Sequence, residues 1–175
     1  VLFMRMFFIV LILVFSLQWL SKADEVKDFE IDRMSIGDSL LKYKSLNEIE
    51  KASKNKIMYP DSNFAVIVFN PNIPEPYEYI EVVYDINNKK YIINGLTGLV
   101  NYPNRYEECK KNKKIISDEF KLMFTNAEIY ENESAHYYFP DSIVDQIDFY
   151  PKSGGFVRVS CTDWSEKLFK ENQWV

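Results

Sequence analysis

The side chains able to carry out chemistry are few. The chain has one histidine, His136, in the run His136-Tyr137-Tyr138-Phe139. Histidine changes charge near neutral pH, so the functional reading makes His136 a proton carrier, and the plainer one makes it an edge or loop histidine. Two cysteines, Cys109 and Cys161, are either one disulfide or a nucleophile with a spare thiol that His136 would activate. Asp141, Asp145 and Asp148 bracket a β-prone stretch. Paired carboxylates run hydrolytic acid–base chemistry or hold calcium. Strand alternation, however, sends Asp145 and Asp148 to opposite faces, and solvated charges that discourage strand-on-strand aggregation are the simpler reading. Asp163-Trp164, just after Cys161, reads as a packing and turn element. His136, Asp145, Asp163 and Trp164 are the functional candidates, and no catalytic residue is assigned. Tyr77, Tyr79, Tyr84 and Tyr91 form either a ligand-facing aromatic surface or ordinary sheet packing.

Several chemistries lack their residues. One histidine and two cysteines cannot supply a zinc or transition-metal cluster. There is no Gly-x-Ser-x-Gly elbow, phosphate loop or dinucleotide fingerprint, and Gly154-Gly155 is turn chemistry. No metal or cofactor is therefore expected. The formal net charge is −5. An acidic chain without a basic stripe repels phosphate backbones, so nucleic acid is disfavoured as a partner. Lys110-Lys111 and Lys113-Lys114 read as the solvated face of a helix.

The compartment decides between the cysteine readings. Arg5 precedes the apolar run Phe7 to Leu17, and Ser21-Lys22-Ala23 places small residues before Asp24. Charged, apolar, then small is the order of a secretory signal, so residues 1–23 are expected to be a cleaved leader. The run is about half of the ~20 residues needed to span a bilayer, which makes an uncleaved membrane tether the alternative. Without the leader's Arg5 and Lys22 the net charge becomes −7. In an oxidising compartment, periplasmic or extracellular, Cys109 and Cys161 are expected to pair. The bond would close a loop of roughly 50 residues and contribute about 3–4 kcal/mol in the chain-entropy model.

The elements that must position these residues follow from periodicity. Residues 24–175 suit a single domain, with 47% hydrophobic and 27% charged residues in the whole chain arguing against disorder. Phe29–Met34 alternates as a short strand. Ile36–Ser39 turns into one or two helical turns at Leu40–Tyr43. Ser45-Leu46-Asn47-Glu48 has capping-box spacing for a helix from Leu46 to about Ser53. Phe64–Phe69 is a strand, and Tyr79–Tyr84 with Lys90–Leu96 forms a hairpin around Asn87-Asn88, whose residue type tolerates positive φ. The longest helix runs over Asn104–Phe124, capped by Asn104 with Glu107, its stripe Tyr106, Cys109, Ile116, Phe120, Met123 and Phe124. Strands at Glu128–Tyr130 with a continuation through Tyr137–Phe139, at Ile143–Tyr150 and at Phe156–Cys161 close the chain. The expected fold is α+β: an antiparallel sheet with helices on one face, from a helix-plus-three-strand unit used twice.

Phe29-Glu30-Ile31-Asp32-Arg33-Met34-Ser35-Ile36-Gly37-Asp38-Ser39-Leu40-Leu41 resembles the opening of a family of small exported bacterial proteins of unassigned function. Tyr59-Pro60-Asp61-Ser62, Asn88-Lys89-Lys90-Tyr91 and Cys161-Thr162-Asp163-Trp164 extend the likeness over most of the chain after the leader. The resemblance implies a shared fold and export and brings no activity. More loosely, Ile31–Ile49 and the apparent doubling are similar to the SmpA/OmlA outer-membrane assembly lipoproteins and to the β-lactamase-inhibitor-like fold. The lipidation cysteine of the lipoproteins is missing, so that analogy implies fold alone. The expected function is a non-enzymatic exported binding domain taking an envelope protein or peptide on its sheet face or edge. A carboxylate-dependent hydrolase and a small-ligand or lipid carrier with an aromatic pocket are the rival readings.

Overall fold

The computed structural model describes residue 26, residues 29–72 and residues 76–171, the side chains of 169–171 excepted. The expected leader lies outside these residues.

Phe29–Met34 is not one strand. β1 (Glu30–Ile31) and β2 (Met34–Ser35) pair as a hairpin that sets Ile31 against Met34. Its two turn residues, Asp32 and Arg33, have φ of 52° and 67°. Two successive left-handed residues match the twist of the flanking strands, so the tightest hairpin turns adopt them. Asp32 tolerates that conformation, and its carboxylate also accepts the N–H of Asn72 at 2.8 Å. The turn sends both Ile31 and Met34 into the core.

Gly37, at φ 92°, makes the bend into a 3-10 turn over Leu40–Lys42. The helix α1 (Leu46–Ser53) then starts where the capping box places it: Ser45 Oγ accepts the Glu48 N–H, and the Glu48 carboxylate accepts the Ser45 N–H at 2.8 Å. α1 buries Ile49 against a four-stranded antiparallel sheet in the order β3 (Ile57–Met58), β4 (Phe64–Phe69), β5 (Tyr79–Asp85), β6 (Ile93–Leu99). Period-two alternation puts Ala65, Ile67, Ile80, Val82, Tyr84 and Ile93 on the inner face with Leu40 and Ile49.

β6 begins later than the sequence suggests, because residues 90–92 turn aside to meet the chain before the 3-10 turn. Leu40 N–H donates to Tyr91 C=O at 2.9 Å, and Ile93 N–H to Asp38 C=O at 2.8 Å. The left-handed residue of this connection is Tyr91 (φ 50°) rather than either asparagine.

The second half has its own layer pair. α2 (Tyr106–Met123) packs on an antiparallel meander of β7 (Glu128–Ala135), β8 (Ile143–Tyr150) and β9 (Val157–Asp163), followed by α3 (Glu166–Glu171). The expected Asn104–Glu107 cap is absent: Asn104 sits at φ 55°, and Arg105 holds the cap position with its guanidinium on the Glu108 carboxylate and no side-chain bond to the backbone of the first turn. Ser117, Phe120 and Phe124 are buried, whereas Ile116 lies one position off the stripe and is exposed. Phe120 and Phe124 pack with Ile147 and Phe149 into a second core.

The class is thus antiparallel α+β, but the expected repeat of a helix-plus-three-strand unit holds only for the second half: the first sheet carries β3 as a fourth strand, and the strands divide into separate sheets. Phe29 packs on both cores, its ring 5.1 Å from that of Phe120. Among the described residues, no helix is long and apolar enough to cross a membrane.

Candidate functional site

Alternation along the three-stranded sheet separates two surfaces. Ile147, Phe149, Val157 and Val159 point to α2, and the residues between them line a face that α2 does not cover. The floor of that face is an ion pair. Asp148 is only 6% exposed, and Arg158 grips it with two bonds, Nε at 2.6 Å and Nη2 at 2.7 Å. A bidentate guanidinium satisfies both carboxylate oxygens, which is what a carboxylate away from water requires. Gln146 adds a third donor at 3.2 Å.

Around this floor stand three rings from three adjacent chain segments. Tyr130 meets Tyr150 edge-on at 5.7 Å, Tyr150 stacks on Phe156 at 6.1 Å, and the Arg158 guanidinium lies over Phe156 at 5.7 Å. Tyr130, Tyr150 and Phe156 are 57%, 41% and 53% exposed, so the cluster is a surface and not a core. The Tyr130 hydroxyl donates to Glu128 at 3.0 Å, a bond that pushes the phenol pKa up.

The same face ends in a second aromatic cluster. His136 N–H donates to Ser142 C=O at 2.8 Å and so continues the β7–β8 ladder by one pair. Its ring lies 5.1 Å from Trp164 and 5.2 Å from Phe139. β8 separates the strands leading to His136 and Trp164, so the two rings meet only by arching over one side of it. Beneath them Ser142 is fully buried, its Oγ accepting the Ser165 N–H at 3.0 Å. The Tyr138 N–H donates to His136 Nδ1 at 3.2 Å, which fixes the ring's orientation. Six residues separate Tyr130 from His136, about 20 Å at the rise of a strand. Between the clusters this face carries Asn132, Ser134 and Ser160, all exposed, and half-buried Val144, Gln146 and Thr162.

Of the four candidates, His136 and Trp164 therefore belong to one site. Asp145 and Asp163 do not: their register places them on the opposite, helix-side surface. There Asp145 is ion-paired with Lys113 of α2, and both side chains are largely covered. Asp148 is likewise engaged, so neither carboxylate of β8 stands free for hydrolysis. Nearby, burial first and Asp145 next push the Tyr106 phenol pKa up. Cys109 and Cys161 form a disulfide that ties α2 to β9, and neither is a free thiol.

The four tyrosines read as one surface are dispersed. Tyr84 is in the first core, 3.0 Å from Ser53 Oγ, Tyr77 lies over Gly98, and Tyr79 is on the uncovered side. Tyr84 and Tyr91 do flank a depression of about 440 Å³ with Glu50, Lys54 and Lys56, but it is open and mixed in charge. Among the described residues, no group of three or more His, Cys, Asp or Glu is placed to hold a metal. Sequence reasoning missed Tyr130, Tyr150, Phe156 and Arg158. The available signal was that 130, 150, 156 and 158 share parity with 136 and 164 across successive strands. No family model, curated protein or solved structure matches the chain.

Proposed function

We propose that the chain is a non-enzymatic, exported binding domain whose contact surface is the uncovered face of the β7–β8–β9 sheet. The observation that carries this reading is one sheet face with an aromatic cluster at each end, exposed at Tyr130, Tyr150, Phe156 and Phe139 and half-buried at His136 and Trp164, and mostly hydrogen-bonding side chains between. Tyr, Trp, Phe and Arg are the side chains that dominate binding surfaces, because they offer large apolar area together with a polar tip. The disulfide supports export, since such bonds persist in oxidising compartments.

The test is a quantitative capture experiment from envelope extracts with three proteins: wild type, Tyr130→Ala/Phe156→Ala, and Leu122→Ala as a control on the outward side of α2, where Leu122 is 78% exposed. Material retained by wild type and control but lost with the double variant supports the face. Equal capture by all three, or none above background under several conditions, refutes it.

A further inference from the structure

The dimensions and chemistry of this face narrow its ligand. Three strands about 4.8 Å apart and about 20 Å of strand length give a strip of a few hundred Å², well under the ~800 Å² per partner of a standard protein interface. A second copy of the chain or a globular protein finds too little area there, whereas an elongated molecule lying along the strands finds both aromatic clusters. The backbone groups of β8 are paired on both sides within the sheet. A peptide laid over the face would meet no backbone partner for its own N–H and C=O groups. A sugar chain has no such requirement: its hydroxyls both donate and accept, and the C–H faces of its rings pack on aromatic rings.

Charge points the same way. The ion pair at the floor is internally neutral, and Asn132, Ser134, Gln146, Ser160 and Thr162 carry no charge. Glu128 at the rim and a net charge of −5 repel polyanions. We propose that the uncovered face binds a neutral, linear glycan several sugar units long. One end packs on Tyr130, Tyr150 and Phe156, the other on Trp164, His136 and Phe139, and Asn132, Gln146 and Arg158 meet the hydroxyls between.

This inference rests on the reading of the face as a binding surface, and the experiment separates the two. Cello-, malto- and N-acetylglucosamine oligomers of increasing length are titrated into the full chain by calorimetry and by tryptophan fluorescence, with polygalacturonate as the charged control. At least one neutral series should bind, with affinity rising with length and then levelling once both clusters are spanned. Trp164→Ala and Tyr130→Ala should each weaken that binding tenfold or more, and Leu122→Ala should leave it unchanged. Tyr130 is on an edge strand and 57% exposed, so its truncation leaves a folded chain even where loss of Trp164 does not. Binding indifferent to both substitutions, or preference for polygalacturonate, overturns the inference. If no oligomer binds while the double variant still loses a captured protein, the glycan reading fails and the binding face stands. If neither is seen, both fall.

Discussion

Tyr43 shows how one contact sets a pH limit. Its hydroxyl donates to Asp38, and this bond pushes the phenol pKa from 10.0 to about 12, while Lys42 and Tyr43 together hold the Asp38 carboxyl below its ordinary value. An unfolded chain releases the Tyr43 proton near pH 10, so the folded state binds a proton that the unfolded one has lost. The stabilisation is complete below pH 10 and disappears as the pH climbs through about 12. Urea unfolding of wild type should show stability declining across that interval, and Tyr43→Phe should decline less steeply. Equal slopes would show that the bond contributes nothing in solution. Local chemistry of this kind was partly legible. Ser45 and Glu48 cap α1 because the capping box needs only three residues of spacing. Asn104 and Glu107 have the same spacing and make no cap, since the chain enters α2 with Asn104 in the left-handed region.

Helices and strands were legible where their burial is regular. β4 and β8 occupy the residues that their β-prone runs assign, and α1 runs from Leu46 to Ser53 as its capping box leads one to expect. β6 and the β1–β2 hairpin were not, because the 37–40 segment competes with β5 for residues 90–93, and that competition is non-local. α2 holds a local conflict that predicts a mutant. Ser117 is 4% exposed in the stripe against the sheet, and its hydroxyl has no hydrogen-bond partner among the described residues. A buried donor without an acceptor costs stability, and alanine is also the better helix former by about 0.5 kcal/mol. Ser117→Ala should therefore raise the unfolding free energy by about 1 kcal/mol in urea titration. A loss of stability would mean that an ordered water serves the hydroxyl.

Over the whole molecule, the two layer pairs are held differently. Both ends of the disulfide lie in the α2–β9 half, 52 residues apart, and the bond contributes about 4 kcal/mol in the chain-entropy model. Reduction should lower the melting temperature. It should also raise hydrogen exchange in α2 and β7–β9 more than in β4–β6, which has a core of its own. A uniform rise in both halves would show that the cores unfold as one. That each half sets one helix on antiparallel strands was visible in the order of elements, but the fourth strand of the first sheet and the division into separate sheets were not, since nothing in the spacing of Leu96 and Glu128 says that β6 and β7 do not pair. The aromatic face stayed hidden for a related reason: its members come from three strands and two connections, and only the folded sheet brings them side by side.

Val26 and Phe29 lie where the two halves meet. Val26 packs at Gly155 in the β8–β9 turn, and Phe29 sits on Phe120, although the residues immediately after them build the other half. A ribosome delivers this stretch long before α2 or the last hairpin exists. During synthesis the first layer pair can close while Val26 and the side of the Phe29 ring that faces Phe120 are still in water, waiting for partners from later in the chain. Those contacts then wait on residues made some ninety to one hundred and thirty positions later, and until that moment the nascent protein presents one side of Phe29 to any chaperone it meets.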